Sequence, residues 1–271
     1  MAKRILVVPD VHGRTFWKEP VSKYIDLVDI IVFLGDYLDP YNDEEGIAQD
    51  IFLNLMNIVD LKLCHPDKVV LLKGNHDEHY SSRVFRELAG GSRIDELHWE
   101  NYHVLFNDYG DLFKIAHLET VHGIPYLFTH AGITVYWLNV VNSKLWHLND
   151  NEISVADEEI VERINALDTD VQGQALLSVV GRSRSWFGEK TGSVLWADIE
   201  EHSIPDASKA YGLDKVFQVF GHTKLNKDYD KLEFDNLAMI DSRQCFMIDS
   251  SNEEKITSIK DCQELGDMMK K

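Results

Sequence analysis

Five short apolar runs in this chain each lead directly into aspartate, asparagine or histidine. Ile5-Leu6-Val7-Val8 runs into Asp10-Val11-His12-Gly13, and Ile30-Ile31-Val32-Phe33-Leu34 runs into Gly35-Asp36-Tyr37-Leu38-Asp39. Val69-Val70-Leu71-Leu72 precedes Gly74-Asn75-His76-Asp77. Tyr126-Leu127-Phe128 precedes His130-Ala131-Gly132, and Val216-Phe217-Gln218-Val219-Phe220 precedes Gly221-His222-Thr223. Apolar, β-branched and aromatic runs of this length read as buried strands. Ligands in α/β sheets gather outside the carboxyl ends of such strands. Five strands that deliver carboxylate, amide and imidazole groups to one edge describe a metal site on a rigid scaffold.

The order of elements supports that scaffold. A strand at residues 5–8, a helix at 17–27, a strand at 30–34, an amphipathic helix at 46–63 and a strand at 68–72 form a βαβαβ pattern. Such a pattern requires an at least partly parallel sheet. In the second helix Ile47, Ile51, Leu55 and Ile58 share one face. A further helix around Tyr80, Val84, Phe85 and Leu88 ends at Gly90-Gly91. Strands are expected at 103–106 and 112–117, with a strand and turn at 121–125. Residues 135–192 form a helical excursion that includes a helix at 157–167, capped by Ser154. The chain becomes strand-rich again at 216–220, 237–241 and 244–248. A polar tail begins near residue 250 and closes with a peripheral strand at 255–260 and a frayed end. No internal repeat or Pro, Gly or Ser linker divides the sequence, so residues 1–271 are expected to form one domain.

With 271 residues, 44% of them hydrophobic, the chain is long enough to bury a sizeable core. It carries 27 basic and 46 acidic residues, a net charge of −19, and has no long basic run. An extended nucleic-acid surface is therefore not expected. Cys64, Cys245 and Cys262 show no CxxC spacing and read as reduced thiols in a cytoplasmic protein. No apolar run approaches the length of a membrane span. Gly188-Glu189-Lys190-Thr191-Gly192 lacks the spacing of a phosphate-binding loop, which excludes a nucleotide triphosphatase of that type. Tyr136, Trp137 and Trp146 read as core packing. His65, His79, His98, His103, His117, His122, His147 and His202 are assigned to surface or core.

The chemistry of the strand ends is that of two divalent cations acting on phosphorus. Such a pair needs a shared anion and mixed oxygen and nitrogen ligands. Asp36 is the natural bridge. Asp10 and His12 flank the first metal, and Asn75, His130 and His222 complete the second. Water between two cations is acidified enough to attack as hydroxide at neutral pH. His76 remains available to protonate the leaving group, with Asp39 to orient it.

This ordered set of motifs resembles the calcineurin-like metallophosphoesterase superfamily, and is most similar to its phosphoprotein phosphatase branch, which includes diadenosine tetraphosphatases. The Ser193-Val194-Leu195-Trp196-Ala197-Asp198 and Ile240-Asp241-Ser242 segments share that similarity. The resemblance implies an α/β fold of two mixed β-sheets packed face to face and flanked by helices. It also implies two divalent metals, manganese foremost and iron or zinc otherwise, and a phosphorylated substrate. Two departures stand out. Pro40-Tyr41 follows Asp39 where the branch usually carries Arg-Gly, so a phosphate-clamping arginine is absent from its usual place. Arg14, Arg182 and Arg184 are the candidate replacements. Position 224 is lysine, where other branches end a Gly-His-x-His motif with a second histidine. The expected activity is hydrolysis of phosphomonoesters. Dinucleoside polyphosphate or phosphodiester cleavage is the alternative, and a non-catalytic binding scaffold is a third reading.

Overall fold

The structure is a computed structural model that describes residues 3–41, 45–88, 93–203, 210–226 and 228–260. The expected Gly90-Gly91 stop and the frayed end after residue 260 lie outside the described residues. From the N-terminus the chain runs through β1 (Arg4–Val8), α1 (Lys18–Tyr24), β2 (Ile30–Phe33), α2 (Ile51–Cys64) and β3 (Val69–Leu72). It continues through α3 (Asn75–Ser81), α4 (Arg83–Leu88), α5 (Trp99–Tyr109), β4 (Phe113–Lys114), β5 (Ala116–Val121) and β6 (Ile124–Thr129). Then come α6 (Val135–Val141), α7 (Glu158–Ala166), α8 (Val171–Leu177), β7 (Phe217–Phe220), β8 (Leu232–Phe234), β9 (Leu237–Met239), β10 (Phe246–Asp249) and β11 (Thr257–Ser258).

The strands form two mixed sheets. One has the order β11-β10-β1-β2-β3-β4, with β1, β2, β3 and β4 parallel and β10 antiparallel to β1. The other has the order β5-β6-β7-β9-β8, with β6, β7 and β9 parallel. The two-residue period of a strand sends alternate side chains to opposite faces. Ile5, Val7, Val32, Leu34 and Leu72 pack with Phe128, Phe217, Val219 and Ala238 in a core between the sheets. The intervening Leu6, Val8, Ile31, Phe33 and Leu71 face the other way. They pack against Val21, Leu55, Ile58, Val59, Leu105 and Phe106 of α1, α2 and α5. On the outside of the second sheet, Leu127 joins Leu138, Val161, Ile164 and Leu177 of α6, α7 and α8. The result is four layers, α/β/β/α. Among the described residues no helix is long and apolar enough to cross a membrane.

Several boundaries differ from the sequence reading, each for a local reason. Residues 103–106 are not a strand but lie within α5. Trp99, Tyr102, Leu105 and Phe106 are all buried there at helical spacing, and this outweighs the β-like Val104-Leu105-Phe106 run. The strand expected at 112–117 is two short strands in different sheets, with the crossing at Ile115. Asn165 Oδ1 accepts the backbone N–H groups of both Ile115 and Ala116 at 2.9 Å, which pays for the break. Ser154 does not cap α7. Its hydroxyl accepts the N–H of Ala156 at 3.3 Å, and Asp157 occupies the cap position. The helix expected from residue 46 begins at Ile51, where Asp50 accepts the N–H of Leu53 at 2.9 Å. His122-Gly123, both with positive φ, is the two-residue turn of the β5–β6 hairpin. The tail returns at β11, which pairs with β10.

Candidate metal centre

The C-terminal ends of β1, β2 and β3 from one sheet, and of β6 and β7 from the other, open onto one edge of the sandwich. The loops that follow are tied together through their backbones. His12 N–H donates to Asp36 O at 2.6 Å, Gly13 N–H to Tyr37 O at 2.8 Å, and Gly221 N–H to His130 O at 2.8 Å. His12, Asp36, Asp39 and His222 take φ values of 43°, 50°, 53° and 66°. Left-handed backbone is costly for residues other than glycine and concentrates at functional sites. Of these, His12, Asp36 and His222 bring donor atoms into the ligand groups described below, and Asp39 faces His76.

Two glycines make this approach possible. A Cβ on Gly74 would lie 2.1 Å from Asp36 Oδ1, and one on Gly221 would lie 1.9 Å from Asp10 Oδ1. Only glycine lets the backbone pass so close to these carboxylates.

The donor atoms converge in two groups that share Asp36. Asp10, His12 and Asp36 form one, and Asp36, His130 and His222 the other; within each group the ligand atoms all lie within 4.8 Å of one another. The Oδ1 of Asp36 accepts the His76 N–H at 3.0 Å. Its Oδ2 faces His12 Nε2 at 3.3 Å and His130 Nε2 at 3.5 Å. A carbonyl can only accept, so the contacts of His12 Nδ1 with Leu38 O (2.8 Å) and of His130 Nδ1 with Leu34 O (2.9 Å) place the ring protons on Nδ1. Burial opposes a second proton, pushing His12 down to about 4 and His130 below its ordinary value. Both Nε2 atoms therefore present lone pairs. Yet His130 Nε2 lies 3.0 Å from Asn75 Oδ1 and 3.1 Å from His222 Nδ1. His222 Nδ1 can donate or accept with its tautomer, but His130 Nε2 and Asn75 Oδ1 are both acceptors, and such a buried pair repels unless a cation lies between them. The donor set, carboxylate, amide oxygen and imidazole without thiolate, fits two divalent metals. Asp10, His12 and Asp36 would hold one, and Asp36, Asn75, His130 and His222 the other.

The charges agree with this assignment. Asp10 is pushed up to about 8 by burial and by Asp36. Burial also acts to raise Asp36, but His130, His76, His12 and His222 together hold it well below the usual carboxylate range. His222 is lowered by burial and then by Arg184.

His76 stands beside this cluster, its ring centroid 5.1 Å from that of His12. Its Nδ1 lies 3.0 Å from Asp39 Oδ2, which orients Nε2 away from Asp39. Burial lowers His76, but Asp36 and then Asp39 outweigh it, and the net shift is upward. The other oxygen of Asp39 accepts the Tyr80 hydroxyl at 2.5 Å.

The expected arginines divide. Arg14 is buried behind the centre, where its Nη2 donates to the backbone carbonyl of Asp10 at 3.0 Å. Arg184 lies at the rim, bonded to Thr223 Oγ1 at 2.9 Å and paired with Asp198 at 3.1 Å. Arg182 is exposed on the same loop. The sequence reading gave no role to Tyr80, Asp77 or Asp241. Asp77 accepts the N–H groups of Asp36 (2.7 Å), Tyr37 (2.9 Å) and Gly74 (2.8 Å), locking the β2 and β3 loops together. Asp241 is buried, and burial followed by Asp10 raises it well above the usual carboxylate range. Its place in the Ile240-Asp241-Ser242 segment was the one available signal. Tyr80 carried none beyond its apolar face.

The sequence profile of the calcineurin-like phosphoesterases matches residues 3–226. The chain belongs to the calcineurin-like phosphoesterase family. It is a metal-dependent hydrolase of phosphate esters. The fold is similar to that of a Saccharomyces cerevisiae serine/threonine phosphatase with similarity to human phosphatase PP5. That match has a TM-score of 0.50 and 15% identity, and covers 94% of this chain and 78% of that one. The phosphoesterase Yfce of E. coli matches at 16% identity with a TM-score of 0.28, over 47% of this chain and 57% of its own. No curated protein matches the chain significantly.

Proposed function

We propose that this phosphoesterase hydrolyses phosphomonoesters with His76 as the general acid. The observation that carries the reading is the His76–Asp39 contact at 3.0 Å, set directly beside the two converging ligand groups. Two divalent cations held there would supply Lewis-acid activation of water and of the phosphoryl group. The oxygen and imidazole donors suit manganese, iron or zinc, and manganese is the proposed pair.

The chain's own residues do the rest. Asp36 commits one oxygen to the His76 N–H, which leaves Oδ2 to face both ligand groups. The carbonyls of Leu38 and Leu34 fix the tautomers of His12 and His130. Asp39 holds the His76 proton on Nδ1 and favours the imidazolium, whose Nε2–H is then available to the departing oxygen. A leaving group that would otherwise depart as a basic alkoxide gains most from that proton.

His76→Asn tests the reading. The variant is expected to retain its metals and to lose about 10²–10⁴-fold in kcat toward alkyl phosphates. It should lose much less toward p-nitrophenyl phosphate, whose leaving group needs little protonation. Equal losses on both substrates would remove His76 from the acid role.

A further inference from the structure

Where the usual arginine is absent, three side chains from three separate segments meet. The Tyr41 ring lies edge-on to His12, with centroids 5.3 Å apart. The Arg93 guanidinium lies over the Tyr41 ring at 3.6 Å, and Lys224 Nζ lies 5.1 Å from the same centroid. Arg93 Nη1 also donates to the carbonyl of Pro40 at 2.9 Å. That carbonyl belongs to the residue next to Asp39, so Arg93 is anchored one residue from the partner of the general acid.

This placement is informative for three reasons. Arg93 and Lys224 are both exposed, while the chain as a whole carries a net charge of −19, so two cations on one ring run against the general surface. The Tyr41 ring meets His12, whose ring centroid lies 5.1 Å from that of His76, so the pair borders the centre next to the proposed acid. The Pro40 carbonyl takes one of the five N–H donors of Arg93 and fixes the plane of the guanidinium, whose fork matches phosphate oxygens.

We infer that Tyr41, Arg93 and Lys224 form a subsite for a second phosphate carried by the leaving group. The inference rests on the phosphoesterase reading above and narrows it to substrates with an anionic leaving group. In the reaction, water adds its hydroxyl to the scissile phosphorus and releases its other proton to solvent, and the P–O bond to the leaving group breaks. The electron pair goes to the departing oxygen, which takes a proton from His76. Arg93 and Lys224 offset the charge of the second phosphate that departs with it. That phosphate can be joined through an alcohol, as in a bisphosphate ester, or directly, as in a phosphoanhydride.

The test uses the metal-loaded full chain at buffered free metal. One arm compares kcat/KM for propane-1,3-diol bisphosphate with that for propyl phosphate. The other compares inorganic tripolyphosphate with p-nitrophenyl phosphate. The wild type should prefer the substrate with the second phosphate in at least one arm, and the arm identifies how that phosphate is joined. Arg93→Gln and Lys224→Gln should each cut that preference ratio about tenfold or more, the effect of losing one charge-assisted hydrogen bond. Arg93→Lys should restore part of it, and melting curves should show each variant folded. A wild type that hydrolyses simple monoesters with no such preference overturns the subsite alone, as does an unchanged ratio in both Gln variants. A wild type inert toward all four substrates overturns the phosphoesterase reading with it.

Discussion

Asp39 divides its two oxygens between His76 and Tyr80, one at 3.0 Å and the other at 2.5 Å, and so holds the imidazole from a fully occupied carboxylate. Tyr80 in turn accepts the backbone N–H of Asp95 at 2.7 Å. His76, the proposed general acid, is thus positioned through a chain of hydrogen bonds rather than by packing alone.

The pH dependence of kcat follows from that arrangement. As the proposed acid, His76 acts in its protonated form, so activity should be lost as pH rises through its raised pKa. Asp39→Asn removes the negative charge that favours the imidazolium and should move this basic limb to lower pH. Tyr80→Phe keeps the charge and should reduce kcat with a smaller shift of the limb. pH–rate profiles of the three proteins check the order.

Asp77 is expected to matter for stability rather than for chemistry. Asp77→Ala leaves the N–H groups of Asp36, Tyr37 and Gly74 without their acceptor in a buried site. At about 1–3 kcal/mol per unsatisfied group, a loss of about 3 kcal/mol or more is expected in denaturant unfolding. Asp77→Asn, which keeps one carbonyl oxygen, should lose less.

Gly221→Ala sets a methyl group against Asp10, where a Cβ would lie 1.9 Å from Oδ1. Displacement of Asp10 should weaken the metal that Asp10, His12 and Asp36 would hold while the two sheets stay folded. Elemental analysis alongside circular dichroism separates loss of metal from loss of fold.

Metal uptake should release protons. Asp10 lies at about 8 in the protein without metal, so it is largely protonated below that pH and must ionise to act as a ligand. Affinity should therefore rise with pH up to about 8 and then level off. Titration calorimetry in buffers of different ionisation enthalpy measures the proton count directly.

Much of this was legible before any coordinates. Strands such as Ile5-Leu6-Val7-Val8 are apolar on both faces because one face meets the second sheet and the other meets helices. The polar group that ends each strand marked the ligand edge. What stayed hidden depends on contacts distant in sequence. Tyr80 reads as a helical core residue until Asp39 is placed beside it. Asn165 gives no sign that it stabilises the crossing at Ile115 from 50 residues away. Arg93 sits in a segment with no motif, and only folding brings it to Tyr41, whereas Arg14 adjoins a motif and Arg182 and Arg184 share one loop. Residues 103–106 were misread because a short apolar run fits both periods, and burial of Trp99 and Tyr102 decides between them.

The proposed metal centre turns on Asp36, whose Oδ2 faces both ligand groups and would serve two cations. Anomalous diffraction from crystals of the manganese-loaded protein tests it most directly. The account predicts two peaks about 3.5–4 Å apart, one beside Asp10 and His12 and the other beside Asn75, His130 and His222, with Asp36 between them. A single peak, or peaks away from Asp36, would contradict it.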